Sequence, residues 1–260
     1  MPDTQQINKA ALRLQEAAAT YVPCAPVRDL IGDTDLEAAY AVQQINNNLR
    51  AELGTLIGRK IGLTSPAVQK QLGVDQPDYG AMFDDMLVFN RGSIAMADVM
   101  QPKVEAEIAM VLRSDLTGEN ISMDEVRNAV EYATPCIEIA GSRIADWNIK
   151  ITDTIADNAS ASHFVLGSQR MSLDDFDPAK VEMSMYKNGE QVSAGTGADC
   201  MGSPLISLHW LANTMVAAGT PLQAGQIVLT GALGPMANAQ AGDEVWAAIT
   251  GFEDISVNFT

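Results

Sequence analysis

The chain has 260 residues, 47% of them hydrophobic, and a formal net charge of -17. That is ample apolar material for a core, and the charge disfavours nucleic acid and anionic membrane as partners. No stretch nears the ~18 consecutive apolar residues of a membrane span. The start MPDTQQINKAALRL has neither the basic residues nor the apolar block of a signal peptide. Three cysteines without metal-type spacing fit a reducing compartment, so a soluble cytoplasmic protein is expected.

Ile7, Ala11, Leu14 and Ala18 recur at helical spacing, and that helix stops before Pro23 and Pro26. A second helix is expected to open at Thr34, with Glu37 completing a capping box and Gly54 just past its end. These helices make a front of residues 1–55, ahead of a domain of residues 56–260. Leu56 to Leu63 reads as a strand. Ile57, Ile61 and Leu63 share one face, and Gly58, Lys60 and Gly62 the other. The glycines clear space above the lysine for a ligand, whereas an ordinary exposed strand lysine would need none. Ser65-Pro66 opens a short helix that Gly73 ends. The polar run Val74 to Gly80 is a turn-rich loop. Its Asp78 is either a turn residue or a site acid.

The strand Pro102 to Leu112 places Val104, Ala106, Ile108, Met110 and Leu112 on one face, and Glu105 with Glu107 on the other. Two same-face carboxylates repel, and burying them is costly unless a cation lies between them. A solvated strand face needs none. A helix from Ser122 to Tyr132, with Ser122 and Glu125 as capping box, leads into the short strand Pro135 to Ala140. Glu138 lies between Ile137 and Ile139. It needs a partner if it points inward and none if it points outward, and it is taken as the third acid.

Residues 141–162 read as a long polar loop, of the kind that often closes over a ligand. Then come a strand at Val181–Tyr186 and an Asn188-Gly189 hairpin. A helix from Ser203-Pro204 to Ala218 stops at Gly219 and buries Leu205, Leu208, Ala212, Met215 and Val216. His209 on its border is a packing histidine. Strands at Ile227–Thr230, Val245–Ile249 and Ile255–Phe259 follow, with a Gly-rich turn at Gly231 to Gly234. They suggest a rolled or barrel-like sheet. There is no phosphate loop, and a count of two histidines, His163 and His209, disfavours a zinc site of usual composition. An all-carboxylate site is hard and favours Mg2+ or Mn2+.

Taken together, GRKIGLTSPAVQKQLGVDQPDYG, QPKVEAEIAMVL, PCIEIAGSRIADW, DTIADNAS and LTGALGPM resemble the 2-keto-4-pentenoate hydratases. These are members of the hydratase/decarboxylase family in the fumarylacetoacetate hydrolase superfamily. The resemblance runs over essentially the whole chain in one order. It implies an α+β fold, a mixed β-roll with outer helices behind a helical N-terminal segment. It also implies a divalent cation, Mg2+ or Mn2+, held by Glu105, Glu107 and Glu138. Lys60 and Asp78 would be catalytic, with Ser160, Thr230 and Gly231 lining the substrate pocket. Further implications are a small anionic 2-oxo-acid substrate, a homo-oligomer, and association with the downstream aldolase enzymes of aromatic meta-cleavage. The reaction implied is hydration of 2-hydroxypenta-2,4-dienoate to 4-hydroxy-2-oxopentanoate.

Three other readings stay open. A decarboxylase of the same family would need a cation for a second substrate carboxylate, and Arg143 in the long loop could reach in. Arg59 points away from Lys60 by strand parity. A carbon–carbon hydrolase is less favoured, since no histidine precedes Glu105. A non-catalytic acidic module would leave the glutamates as a solvated face.

Overall fold

The computed structural model describes residues 2–65, 69, 74 and 76–260. Helix α1 (Thr4–Thr20) starts on Asp3, which exchanges a reciprocal capping box with Gln6. It buries Ala10, Ala11, Leu14 and Ala17, so the expected Ala18 faces solvent. A short helix α2 (Arg28–Ile31) follows, then α3 (Leu36–Arg50). The cap of α3 is Asp35, one residue later than expected, because its carboxylate accepts from Ala38 N at 3.0 Å. The helix anticipated from Ser65 to Gly73 lies largely outside the described residues.

The strands are β1 (Leu56–Gly62), β2 (Asp78–Phe83), β3 (Leu87–Val88), β4 (Gly92–Ile94), β5 (Lys103–Leu112), β6 (Val130–Ala140) and β7 (Ala161–Leu166). After them come β8 (Glu182–Lys187), β9 (Glu190–Thr196), β10 (Ile227–Ala232), β11 (Ala237–Asn238), β12 (Glu244–Ile249) and β13 (Ile255–Phe259). One mixed sheet has the order β2-β1-β10-β5-β6-β7-β3, with β11 also on β5. A second sheet has the order β4-β13-β12-β8-β9. The apolar face read from Val104, Ala106, Ile108 and Met110 joins Ile137, Ile139 and Val228 from the first sheet. It packs on Met185, Val245, Ala247 and Val257 from the second. This is the main core, and it forces the other face of β5 toward the site.

Three boundaries move. Helix α4 (Met123–Ala129) keeps its Ser122–Glu125 capping box but ends at Ala129. Residues 130–132 are the first of β6, where they extend the pairing with β5. Asp78 is the first residue of β2, paired with Gly62, and not a loop residue. Gly231 continues β10, so the turn starts later. The Asn188-Gly189 hairpin is as read, with φ of 53° and 84°, matching a two-residue turn of primed type. His209 hydrogen-bonds Ile121 O at 2.8 Å, a packing role.

Residues 141–162 are not an irregular loop. They contain helix α5 (Ile151–Ala156), every residue of which is buried. Ile144, Ile151, Ile155 and Ala156 form a second core with Ala11, Leu14, Ile31, Ala39 and Val42. Asp153 anchors this core: it accepts from Val27 N and Arg28 N at 2.9 Å each and pairs with the Arg28 guanidinium. Asp153, which resembled a loop acid, is therefore a buried acceptor whose partners lie ~125 residues away in sequence, where no local pattern shows them. A hinged lid is incompatible with this packing. The final helix, α6 (Pro204–Ala217), is capped by Ser203 and buries Leu208, Leu211, Ala212 and Met215. Leu205 and Val216 are only partly buried.

Candidate active site

Glu105 and Glu138 stand directly opposite each other on β5 and β6, and Glu107 lies two residues along the same face. One carboxylate oxygen from each comes within 4.8 Å of the others. Glu107 and Glu138 are buried and Glu105 is half-buried. Lys60 enters from β1, on the same side. Its Nζ lies 3.0 Å from Glu138 Oε1 and donates to Ala159 O at 2.9 Å. Asp78 closes the group from β2. A Cβ at Gly62 would collide with its carboxylate and crowd Lys60 Nζ. Gly62 thus makes room for Asp78 beside the lysine. Gly58 has a different purpose: a Cβ there would collide with the Ile227 backbone, so it serves strand packing.

Four carboxyl groups therefore face one ammonium. Burial would lower the Lys60 pKa, but Glu138, Asp78, Glu105 and Glu107 together push it up, so the lysine stays charged. Burial and Glu138 push Glu105 up to about 7, and the same causes, in the same order, hold Glu107 well above the usual carboxylate range. Burial also raises Asp78, against the pull of Lys60. Glu138 Oε2, Glu107 Oε1 and Asp78 Oδ1 are buried without any hydrogen-bond donor among the described residues. Orphaned buried carboxylate oxygens cost several kcal/mol each unless something supplies positive charge. Oxygen-only donors of this kind suit a hard divalent cation, so these residues fit one.

The remaining expected residues gather around the cluster in two ways. Ser160 Oγ lies 3.3 Å from Thr154 Oγ1, which donates to Asp78 Oδ2 at 3.3 Å. Gly231 N donates to Glu107 Oε2 at 2.8 Å from a φ of +113°, a conformation that favours glycine. Thr230 is placed differently: its hydroxyl donates to Ile108 O at 2.7 Å within the sheet, so its main chain positions Gly231. Arg143 does not reach in. It pairs with the Asp157 carboxylate and donates to Ala161 O at 2.9 Å.

The turn that carries Ser160 escaped the sequence. Asn158, Ala159 and Ser160 all adopt left-handed φ, of 55°, 52° and 55°. For non-glycine residues this costs about 1–2 kcal/mol each, less for Asn. The Asn158 side chain offsets part of it by bonding both Ala81 N and Ala81 O, at 2.8 and 2.9 Å. The turn aims Ala159 O at Lys60. An Asn before two small residues was the available signal, and it is weak. Thr154 had no signal, since a buried hydroxyl looks like any other threonine.

A family model for the fumarylacetoacetate hydrolase C-terminal domain matches residues 58–259. The chain belongs to the fumarylacetoacetate hydrolase superfamily. Within it, the chain is 52% identical to the TodF product hydratase of Pseudomonas putida, over 98% of this chain and 96% of that one. It is 49% identical to a 2-keto-4-pentenoate hydratase of Burkholderia vietnamiensis over the full length of both. The structure of 4-oxalocrotonate decarboxylase from Pseudomonas putida G7, complexed with magnesium and adipate, superposes with a TM-score of 0.94 at 30% identity. The superposition covers 100% of this chain and 99% of that one. The α+β fold expected of this superfamily is the fold observed, and its members place the chain among enzymes. No helix among the described residues is long and apolar enough to cross a membrane.

Proposed function

We propose that this chain is a hydro-lyase that adds water to 2-hydroxypenta-2,4-dienoate (2-oxopent-4-enoate), giving 4-hydroxy-2-oxopentanoate in aromatic meta-cleavage. The observation that carries the reading is the buried convergence of Glu105, Glu107 and Glu138 beside Lys60, in a chain about half identical to hydratases over its full length. The three glutamates would hold Mg2+ or Mn2+, which when bound supplies a Lewis acid and template for a 2-oxo acid. Lys60, kept charged by its carboxylate neighbours, stabilises negative charge developing on the substrate oxygen or passes a proton to carbon. Asp78, buried and raised in pKa, accepts a proton from the attacking water. Ser160 and Thr154 lie in line to orient that water. Gly231, through its N–H, holds Glu107 in place. On the resemblance alone, the reading also carries a cytoplasmic homo-oligomer that passes product to a downstream aldolase.

Commitment of Arg143 to Asp157 favours the hydratase over the decarboxylase, since it removes the cation that would greet a second carboxylate. The test is to offer the protein, with magnesium, 2-hydroxypenta-2,4-dienoate and separately its longer dicarboxylate analogue. Loss of dienoate absorbance without carbon dioxide release is expected. Carbon dioxide from the dicarboxylate at the faster rate would reverse the assignment.

A further inference from the structure

Lys60 and Asp78 face the carboxylate cluster, and their strand neighbours Arg59 and Tyr79 face the opposite way. In the β1–β2 register Arg59 pairs with Ala81 and Lys60 with Gly80, so the two sets alternate strictly. On the Arg59 side, under α3 and the end of α6, lies a cavity of about 260 Å³. Tyr40 and Tyr79 stack in its wall with ring centroids 4.4 Å apart. On its rim Gln44 Nε2 donates to Asn48 Oδ1 at 2.6 Å.

Arg59 is the anomaly. Its Nε is buried without a hydrogen-bond partner. Among the described residues its guanidinium makes no ion pair. Among the described residues, none that lines the cavity is acidic. This occurs in a chain with 33 acidic and 16 basic residues, where a cation can find an acid almost anywhere. Burial pushes the Arg59 pKa down, yet a guanidinium stays protonated, so the charge is real and has no counter-ion among the described residues.

We propose that this cavity binds a small monocarboxylate, on the back of the strands that carry Lys60 and Asp78. A planar guanidinium matches a carboxylate through paired hydrogen bonds. One cation among neutral amides balances one negative charge, which favours a monocarboxylate over a phosphate dianion. The stacked tyrosines offer an apolar wall for a short carbon chain, and the volume suits a ligand of a few carbons.

Pyruvate is the probe, titrated calorimetrically into intact protein saturated with magnesium and oxalate, so that the carboxylate cluster is already engaged. One further site per chain is expected. Arg59→Gln should weaken it at least ~10-fold, as loss of a charged hydrogen-bond partner does. Gln44→Glu, an exposed rim change that does not threaten folding, should weaken it by repulsion and serves if Arg59→Gln fails to fold. Inorganic phosphate should bind more weakly than pyruvate. No second site in the wild type, or a site indifferent to both Arg59→Gln and Gln44→Glu, overturns the proposal. So does a change of oligomeric state in Arg59→Gln with no pyruvate binding in the wild type, which would assign Arg59 to a subunit contact.

Discussion

Lys60 Nζ lies 3.0 Å from Glu138 Oε1, and this ion pair joins β1 to β6 across the intervening strands β10 and β5. Lys60 is the only cation facing the four carboxyl groups of the site among the residues described there. Removing it should be felt twice. Lys60→Met keeps most of the side-chain stem and leaves the carboxylates unopposed. Turnover should fall at least ~100-fold if the lysine handles protons. The metal-free variant should lose about 3–5 kcal/mol in denaturant unfolding, the cost of stranding a buried charge. Normal turnover with only weaker substrate binding would reduce Lys60 to an anchor.

Glu107→Gln should act in the opposite sense on stability. It removes one of the mutually repelling acids while its amide oxygen can still accept from Gly231 N. The metal-free variant should melt higher than the wild type, and its affinity for Mg2+ should drop by more than the roughly 10–100-fold typical of outer-shell changes. Scanning calorimetry and a metal titration report the two effects separately. Unchanged metal affinity would remove Glu107 from the proposed ligand set.

Glu105 links the site to pH. Its folded pKa of about 7 exceeds the ordinary 4.5, and Glu107 is shifted the same way. Between those values the native metal-free protein holds more protons than the unfolded chain, so its stability should fall as pH rises from about 4.5 to 7. With saturating Mg2+ the trend should invert, because cation binding needs the ionised carboxylates. Urea unfolding at several pH values, with and without magnesium, checks both signs. Parallel curves would show that the glutamates and the cation are not linked.

Gly231→Ala tests the turn that holds Glu107. A Cβ there would collide with Thr64, and the φ of +113° is poorly tolerated by any other residue. A loss of about 1–3 kcal/mol is expected from the backbone alone. Metal affinity should fall with it, since the N–H donated to Glu107 moves. A variant of full stability and unchanged metal affinity would show that the glycine is dispensable.

The sequence by itself determined the alternation of β5, and with it the face that Glu105 and Glu107 share. It also determined the capping box at Ser122, the Asn188-Gly189 hairpin, and the isolation of Glu138 in an apolar strand. Each of these is local: a period of two, a cap three residues wide, or a turn of two residues. Tertiary structure alone decided that Glu138 points inward, because its direction follows from register with β5 and not from its neighbours Ile137 and Ile139. It alone decided that residues 151–156 are a buried helix, since Asp153 is satisfied by Val27 and Arg28 from the N-terminal segment, ~125 residues away. The same holds for the left-handed turn at Asn158 to Ser160, whose strain is tolerable only because Asn158 bonds Ala81 and Lys60 bonds Ala159. A buried polar group needs a partner, and sequence shows the need without showing which distant residue meets it.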